Sequence, residues 1–236
     1  MRKFIWISIY LLLLIGCSKD SPSTLDLKEA SEYYPLKLGA WYIYDVDSIS
    51  YNDFNESIDS LTYQVKEELT DTFYDLEGSL SYEITRSKRF GNDSVDVESV
   101  PWKVSDIWWV KNRGGSIERT EENNRYITLS NPISEGKTWK GNAYNTMSAL
   151  NWDFAYKNIA DTFGQYSNTV TVIQEDFDTN VDSVYFREVF AKEIGLVSRS
   201  RTDLYSNNSL PFIHMIDKAE KGFQYHQTLN SYYIPE

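Results

Sequence analysis

Apolar and polar positions alternate in short segments throughout the chain from Gly39 onward. The segment Leu61–Lys66 alternates without interruption, and Val170–Gln174 does so except at Ile173. A period of two places successive side chains on opposite faces of a strand, so each segment is predicted to be a strand with one buried face and one wet face. Similar patterns predict further strands at 39–46, 80–85, 108–111, 125–129, 184–191, 196–204 and 223–229.

Turn-forming residues separate these segments at 91–93, 113–115, 134–136 and 176–180. About ten short strands with frequent turns are typical of an antiparallel sheet and not of β-α-β units. We therefore predict a mainly all-β fold, an antiparallel curled sheet, half-barrel or barrel-like, with at most short helices. One or two helical turns are expected within Leu27–Tyr33, with Asp26 as a candidate cap, and a short helix within Asn142–Phe154.

The first residues of the chain follow a different pattern. Arg2 and Lys3 precede an almost wholly apolar run of 12 residues, Phe4–Ile15. A membrane-spanning helix needs about 20 such residues. A positive start followed by a short apolar run is typical of a secretory signal.

The segment Leu14-Ile15-Gly16-Cys17 resembles the lipobox of bacterial lipoproteins, with Ile15 where Ala or Ser is commoner. The resemblance implies cleavage after Gly16, a diacylglyceryl thioether on Cys17 and a further acyl chain, such as palmitate, on the new N-terminus. Two or three acyl chains anchor a protein stably where one does not. The alternative is an ordinary secretory signal with a coincidental cysteine. Because Cys17 is the only cysteine, it cannot form a disulfide within the monomer, and lipidation explains its presence.

These observations divide the chain into a lipoprotein signal peptide at 1–16, a tether at 17–26 and a single β-rich domain at 27–236. Ser18 stands where an inner-membrane lipoprotein carries Asp, which favours the outer membrane. Ser18-Lys19-Asp20 loosely resembles signals that place Bacteroidota lipoproteins on the cell surface, so the periplasmic and the surface-exposed face both stay open.

The charge of the chain limits its partners. Loss of residues 1–16 leaves 21 Lys and Arg against 35 Asp and Glu, a net charge of −14. Nucleic acids and anionic lipid headgroups need a basic surface, which argues against both as ligands. Aromatic residues make up 15% of the chain, as suits half-buried pleated surfaces.

Three segments resemble a family of uncharacterised Bacteroidota outer-membrane lipoproteins. Tyr34–Tyr44 is similar to their "Y-P-L-x-x-G-x-x-W-x-Y" opening, with Trp41 one place early. Phe190–Val197 resembles their "Y-A-x-x-V-G-L-V" element, and Gly222–Tyr232 matches the closing strand. The resemblance implies a β-rich domain, such as the half-barrel of periplasmic lipoprotein carriers, and implies no activity. Gly195 also suits a tight hairpin that needs positive φ.

Motifs for catalysis are lacking in the sequence. The two histidines, His214 and His226, are not in a metal-ligand spacing, and both are interpreted as surface residues. No nucleophile elbow, phosphate loop or dinucleotide fingerprint occurs, so no cofactor is expected. Paired carboxylates for glycoside hydrolysis meet in space and cannot be identified among 35 acidic residues.

Oxygen donors occupy every second position from 176 to 182, as in the first half of an EF-hand calcium loop. The Gly and Glu expected at loop positions six and twelve are replaced by Val181 and Arg187. A solvated acidic hairpin turn is the favoured interpretation, and no metal site is predicted. The donors are Asp176, Asp178, Asn180 and Asp182.

Two further sets of residues are candidates for surface chemistry. Tryptophans can stack on sugar rings, and adjacent Trp108 and Trp109 must point to opposite sides of a strand, so one of them is a candidate ligand-facing residue. Four serines follow Asp and precede an apolar residue, a pattern that resembles the O-glycan acceptor site of Bacteroidota exported proteins but that also arises where a turn enters a strand. They are Ser48, Ser60, Ser94 and Ser183.

Together these features lead us to expect a membrane-anchored lipoprotein with a non-enzymatic binding or envelope-assembly role. Its ligand is expected to be a glycan, a lipid or a partner protein. Two alternatives stay open. A glycan-active hydrolase would bring two carboxylates together in a pocket, and a lipid or lipoprotein carrier would have a deep apolar cavity.

Overall fold

Strands account for most of the residues in the computed structural model, which describes residues 28–91, 95–145 and 152–236. Three short helical segments accompany them: 3-10 turns at Ala30–Tyr33 and Val97–Ser99, and helix α1 at Met215–Lys218. The strands are β1 Trp41–Asn52, β2 Ser57–Tyr74, β3 Leu80–Arg89, β4 Lys103–Arg113, β5 Ser116–Glu121, β6 Asn124–Ser130, β7 Thr138–Lys140, β8 Asp153–Phe163, β9 Tyr166–Asp178, β10 Asp182–Ala191, β11 Gly195–Tyr205 and β12 Lys221–Tyr233.

These strands form one antiparallel sheet in the order β6-β5-β4-β3-β2-β1-β12-β11-β10-β9-β8-β7. The sheet curls until its two edge strands nearly meet. The amide of Ile127 in β6 donates a hydrogen bond of 2.8 Å to the carbonyl of Gly141, just beyond β7, and the indole of Trp139 donates one of 2.8 Å to the carbonyl of Ile127. The edges therefore cover each other. The predicted all-β, barrel-like fold is confirmed.

The segment before β1 crosses one end of the barrel, which we call the closed end. Ala30 and Tyr33 are fully buried there. The carbonyl of Glu32 accepts a hydrogen bond of 2.6 Å from the amide of Glu193, in the β10–β11 turn. The interior near this end is apolar and includes Leu69, Ile84, Val110, Ile117, Leu129, Tyr156, Val170, Val172, Phe190 and Leu196.

The predicted hairpin at Gly195 is present. Ala191 pairs with Gly195 across the β10–β11 turn, and Gly195 has φ of +110°. A side chain there would be strained, because L residues rarely adopt that backbone conformation.

Other predictions were wrong or incomplete. The pattern missed β5 and β8 entirely. A short helix was expected within 142–154, but residues 142–145 form turns, Trp152 is in neither a helix nor a strand, and Asp153 and Phe154 begin β8. Residues 146–151 lie outside the described ones. The expected helical turn before β1 is a 3-10 turn that Glu29 precedes, while Asp26 lies outside the described residues. The predicted signal peptide, Cys17 and the tether also lie outside the described residues. None of the helices among the described residues has the length and apolar character needed to cross a membrane.

Candidate ligand-binding groove on the outer wall

The two adjacent tryptophans of β4 lie on opposite faces of the sheet. Trp108 points into the barrel and is 3% exposed, with the guanidinium carbon of Arg86 4.1 Å from its ring centre. Trp109 lies on the outer wall, opposite Thr120 of β5, and is half-buried. Of the two candidate ligand-facing residues, Trp109 is therefore the one that a molecule outside the barrel can contact.

Trp109 lines a groove of about 420 Å³ on the outer wall. The turn between β2 and β3 forms one side of this outer-wall groove, and the segment after β7 forms the other. Three aromatic side chains line it, of which Tyr144 is 47% exposed. The aromatic residues are Phe73, Trp109 and Tyr144, and the charged ones are Asp75, Lys111, Glu118 and Arg125.

A buried lysine organises the charged side of the groove. Lys111 and Glu118 pair across the β4–β5 hairpin, and both side chains are less than 10% exposed. The ammonium of Lys111 lies 2.6 Å from an oxygen of Asp75, 3.0 Å from Glu77 and 3.7 Å from Glu118. Asp75 is itself fixed, since its other oxygen accepts hydrogen bonds from the amides of Glu77 and Ser79. The three carboxylates are thus held around one ammonium.

Two arginines balance the remaining negative charge. Arg125 lies 3.5 Å from Glu118 and Arg113 lies 3.0 Å from Glu77. The guanidinium of Arg125 also lies 4.9 Å from the ring centre of Tyr144, which suits a cation–π contact. Three cations therefore face three carboxylates, and the groove is close to neutral despite the acidic chain.

These contacts keep the carboxylates ionised. The hydrogen bond from Lys111 is the main reason that the pKa of Asp75 falls to about 2, and the same ammonium lowers the pKa of Glu77. Burial opposes the protonation of Lys111, but hydrogen bonds to Asp75 and Glu77 outweigh it and raise the pKa of Lys111. All three groups are charged at neutral pH.

This arrangement suits binding better than glycoside hydrolysis. A glycosidase needs one carboxylic acid whose raised pKa keeps it protonated, beside an ionised partner. Here the pKa values of Asp75 and Glu77 move down. Neither oxygen of buried Glu118 has a hydrogen-bond partner among the described residues, although cations lie 3.5–4.0 Å away.

The other tryptophans lie elsewhere. Trp102 is half-buried under the guanidinium of Arg89, at 4.4 Å. Trp139 packs on Tyr156 with ring centres 4.4 Å apart, and Trp152 packs on Tyr126 at 6.2 Å. They do not join Trp109 in the groove.

The predicted O-glycosylation serines are not all at turns. Ser48 is half-buried in β1 and Ser60 is exposed in β2, and both lie well inside the paired strands, where Ile49 faces Ser60. Ser183 is half-buried near the start of β10. Ser94 lies outside the described residues. Entry of a turn into a strand therefore does not explain the pattern at Ser48 and Ser60.

The histidines and the acidic repeat are peripheral. His226 is exposed on β12, where its ring nitrogens are 2.8 Å from Ser200 Oγ and 3.0 Å from Thr228 Oγ1. His214 is exposed at the start of α1. The oxygen donors at 176–182 are spread over the β9–β10 hairpin. Among the described residues no three His, Cys, Asp or Glu side chains are grouped to hold a metal ion.

Sequence reasoning missed Lys111, Glu118 and Asp75. The signal was present in the Gly114-Gly115 turn. A two-residue turn there pairs Arg113 with Ser116 and so places Lys111 opposite Glu118.

Comparison with protein-family models, with curated proteins and with solved structures found no match for this chain.

Proposed function

We propose that this chain is a membrane-anchored lipoprotein with a non-enzymatic binding role, and that its outer-wall groove binds a short uncharged glycan. The observation that carries the proposal is the position of Trp109. Its half-buried ring lies beside a rigid, charge-balanced set of hydrogen-bonding groups centred on Lys111. Sugar rings present apolar C–H faces that pack on aromatic rings and hydroxyls that bond to carboxylates and ammonium groups.

The charge balance of the groove favours an uncharged ligand. Three cations and three carboxylates leave no net attraction for an anion or a cation. A hydroxyl both donates and accepts, so it can bond to the partly exposed carboxylate of Asp75 and to the N–H groups of Arg125 alike. The lipid anchor on Cys17 and the outer-membrane location are part of the proposal; the anchor rests on the lipobox resemblance and the location on Ser18.

The carrier alternative is less well supported. A lipid or lipoprotein carrier needs a deep apolar cavity. Two cavities on the inner side of the sheet, among the described residues, measure about 10 Å³ and 40 Å³, and each is far smaller than an acyl chain.

The test is binding of uncharged oligosaccharides to the purified protein, first on a glycan array and then by calorimetry. Trp109→Ala should weaken binding about 5- to 10-fold, equivalent to about 1–1.4 kcal/mol for one lost stacking contact. Trp102→Ala is the matched control, since it removes another half-buried tryptophan away from the groove, and binding should be unchanged. Loss of affinity in both variants alike, or no glycan bound by the wild type, would overturn the proposal.

A further inference from the structure

A layer of buried charge crosses the barrel interior on the side of the apolar core that lies away from the closed end. It contains four arginines and three glutamates, which we call the arginine layer. All seven side chains point inward from β2, β3, β5, β10 and β11, and six of them are less than 10% exposed. Its members are Glu67, Arg86, Arg119, Glu121, Glu188, Arg199 and Arg201.

Most of these charges are matched by close contacts. The Nη2 atom of Arg119 lies 2.5 Å from Glu121 Oε1 and 2.7 Å from Glu188 Oε1. The Nη2 atom of Arg199 lies 2.9 Å and 2.8 Å from the same two oxygens. These four groups close a ring. Arg86 has its own partner, with its Nε donating to Glu67 Oε1 at 2.9 Å.

Arg201 is the cation without a carboxylate of its own. Its nearest acidic atom is Glu121 Oε2, at 3.7 Å, and Glu121 already serves Arg119 and Arg199. The adjacent pair of Lys88 and Asp106, 3.7 Å apart, adds one charge of each sign and leaves the excess unchanged. The layer therefore carries one positive charge more than its carboxylates neutralise.

The environment of Arg201 is consistent with this excess. Burial lowers the pKa of Arg201, and the like charge of Arg199 lowers it further. The pKa values of Arg119, Arg199 and Arg86 move in the opposite direction, because their carboxylate partners outweigh the effect of burial.

A small cavity lies beside the unmatched charge. It has a volume of about 40 Å³ and is lined by both Arg119 and Arg201, by Gln174 and Thr128, and by the aromatic residues Tyr126 and Trp152. The carboxylate of Glu121 also lines it, but both of its oxygens already face the guanidinium groups of Arg119, Arg199 and Arg201. The Nε and Nη1 groups of Arg119 have no hydrogen-bond partner among the described residues, although the side chain is only 2% exposed. The Nε of Arg201 is also buried without a partner there. Buried donors left unsatisfied are costly, so any of these N–H groups that reach the cavity favour an acceptor in it.

We propose that this cavity binds one small monovalent anion, either a halide ion or a single carboxylate group. Two guanidinium groups supply the charge and the donors, and the aromatic walls limit the size of the guest. The volume fits a guest of a few heavy atoms and excludes an intact lipid or a sugar ring. Arg201, with 32% of its side chain exposed, connects the cavity to solvent. This site is separate from the outer-wall groove, so its occupancy does not depend on the glycan proposal.

The test is thermal unfolding of the purified protein in titrations of sodium chloride, sodium bromide and sodium acetate. We expect a saturable rise in Tm of about 3–6 °C once the anion reaches ten times its Kd. Arg201→Gln removes the unmatched charge and should abolish the saturable rise. Lys157→Gln is the control, because it removes one exposed positive charge from the outer face of β8 and should keep the wild-type response.

A rise with chloride and bromide only identifies a halide site, and a rise with acetate only identifies a carboxylate site. Both support the proposal. An equal response in Arg201→Gln and the wild type, or no saturable rise with any of the three salts, would overturn it. Crystals grown in sodium bromide give a second measurement that needs no variant. Anomalous density between Arg119 and Arg201 supports a halide site, and bromide bound elsewhere while acetate gives no rise contradicts the proposal.

Discussion

The buried ring of Arg119, Arg199, Glu121 and Glu188 allows a sharp prediction about stability. Glu188 is fully buried, and its Oε1 lies 2.7 Å and 2.8 Å from the two arginines. Glu188→Gln keeps the shape of the side chain and removes its charge. Two guanidinium groups would then share the single carboxylate of Glu121 inside the barrel.

The expected cost is large because an uncompensated charge stays buried. Breaking a buried ion pair by neutralising one partner typically costs about 3–5 kcal/mol. For a domain of this size, about 1 kcal/mol corresponds to about 2–4 °C, so Tm should fall by roughly 6–20 °C. Urea unfolding followed by tryptophan fluorescence measures the same loss as a lower midpoint with an unchanged slope.

Two variants show whether charge is the cause. Glu83→Gln removes a half-buried carboxylate from the outer wall of β3 and should change stability by less than about 0.5 kcal/mol. The double variant Glu188→Gln with Arg199→Gln removes one charge of each sign and should be less destabilised than the sum of the two single variants. If the free energy of unfolding of Glu188→Gln is within about 1 kcal/mol of the wild-type value, the stability of the arginine layer does not depend on charge matching and the reasoning fails.

Two further predictions concern pH and the anchor. Burial opposes the ionisation of Glu188, but Arg119 and Arg199 outweigh it and hold the pKa of Glu188 below its usual 4.5, as several arginines do for Glu121. The stabilisation from these two carboxylates is therefore complete above their unfolded-state pKa and is lost as the pH falls below about 4.5 towards their pKa values in the folded protein. In Glu188→Gln, Tm should fall less steeply with decreasing pH below that point than in the wild type. An equally steep fall of Tm in both proteins would contradict this assignment. Mass spectrometry of the N-terminal peptide from native protein should find an acylated Cys17, and an unmodified cysteine would refute the lipid anchor. Surface proteolysis of intact cells should then distinguish a surface-exposed domain from a periplasmic one.

Periodicity predicted the long strands with one apolar face and one polar face. Each of these strands overlaps its predicted segment, and several extend beyond it. They are β1, β2, β10, β11 and β12. Their inward positions carry Tyr44, Val65 and Phe190, whose burial produces the alternation that the pattern detects. The fold class followed from these strands and from the glycine-rich turns, without any comparison protein.

Strand β8 was missed for a different reason. Its second half is largely exposed and contains two residues, Asn158 and Ala160, with positive φ, so pairing with β9 is interrupted between Lys157 and Asp161. An interrupted strand at the edge region of a sheet loses the period of two on which the prediction depends. The sequence identified Trp108 and Trp109 as a pair of candidates but could not select Trp109 over Trp108, because it does not show which face of β4 lies inside the barrel.

Strand β5 explains why both sites escaped the sequence pattern. It is only six residues long, Ser-Ile-Glu-Arg-Thr-Glu, and most of its residues are buried. Glu118 faces the outer-wall groove, whereas Arg119 and Glu121 face the barrel interior. Because only one of its six residues is apolar, a hydrophobicity pattern predicts that such a strand is exposed to solvent on both faces. Burial of these residues depends on partners brought from β4, β10 and β11: Lys111 for Glu118, Glu188 for Arg119 and Arg199 for Glu121. Those partners are up to 78 residues away in the chain, so no local rule can find them. The burial of a charged strand can be predicted only after the order of strands in the sheet is known. One face of this short strand lines the outer-wall groove, and its other face lines the proposed anion cavity.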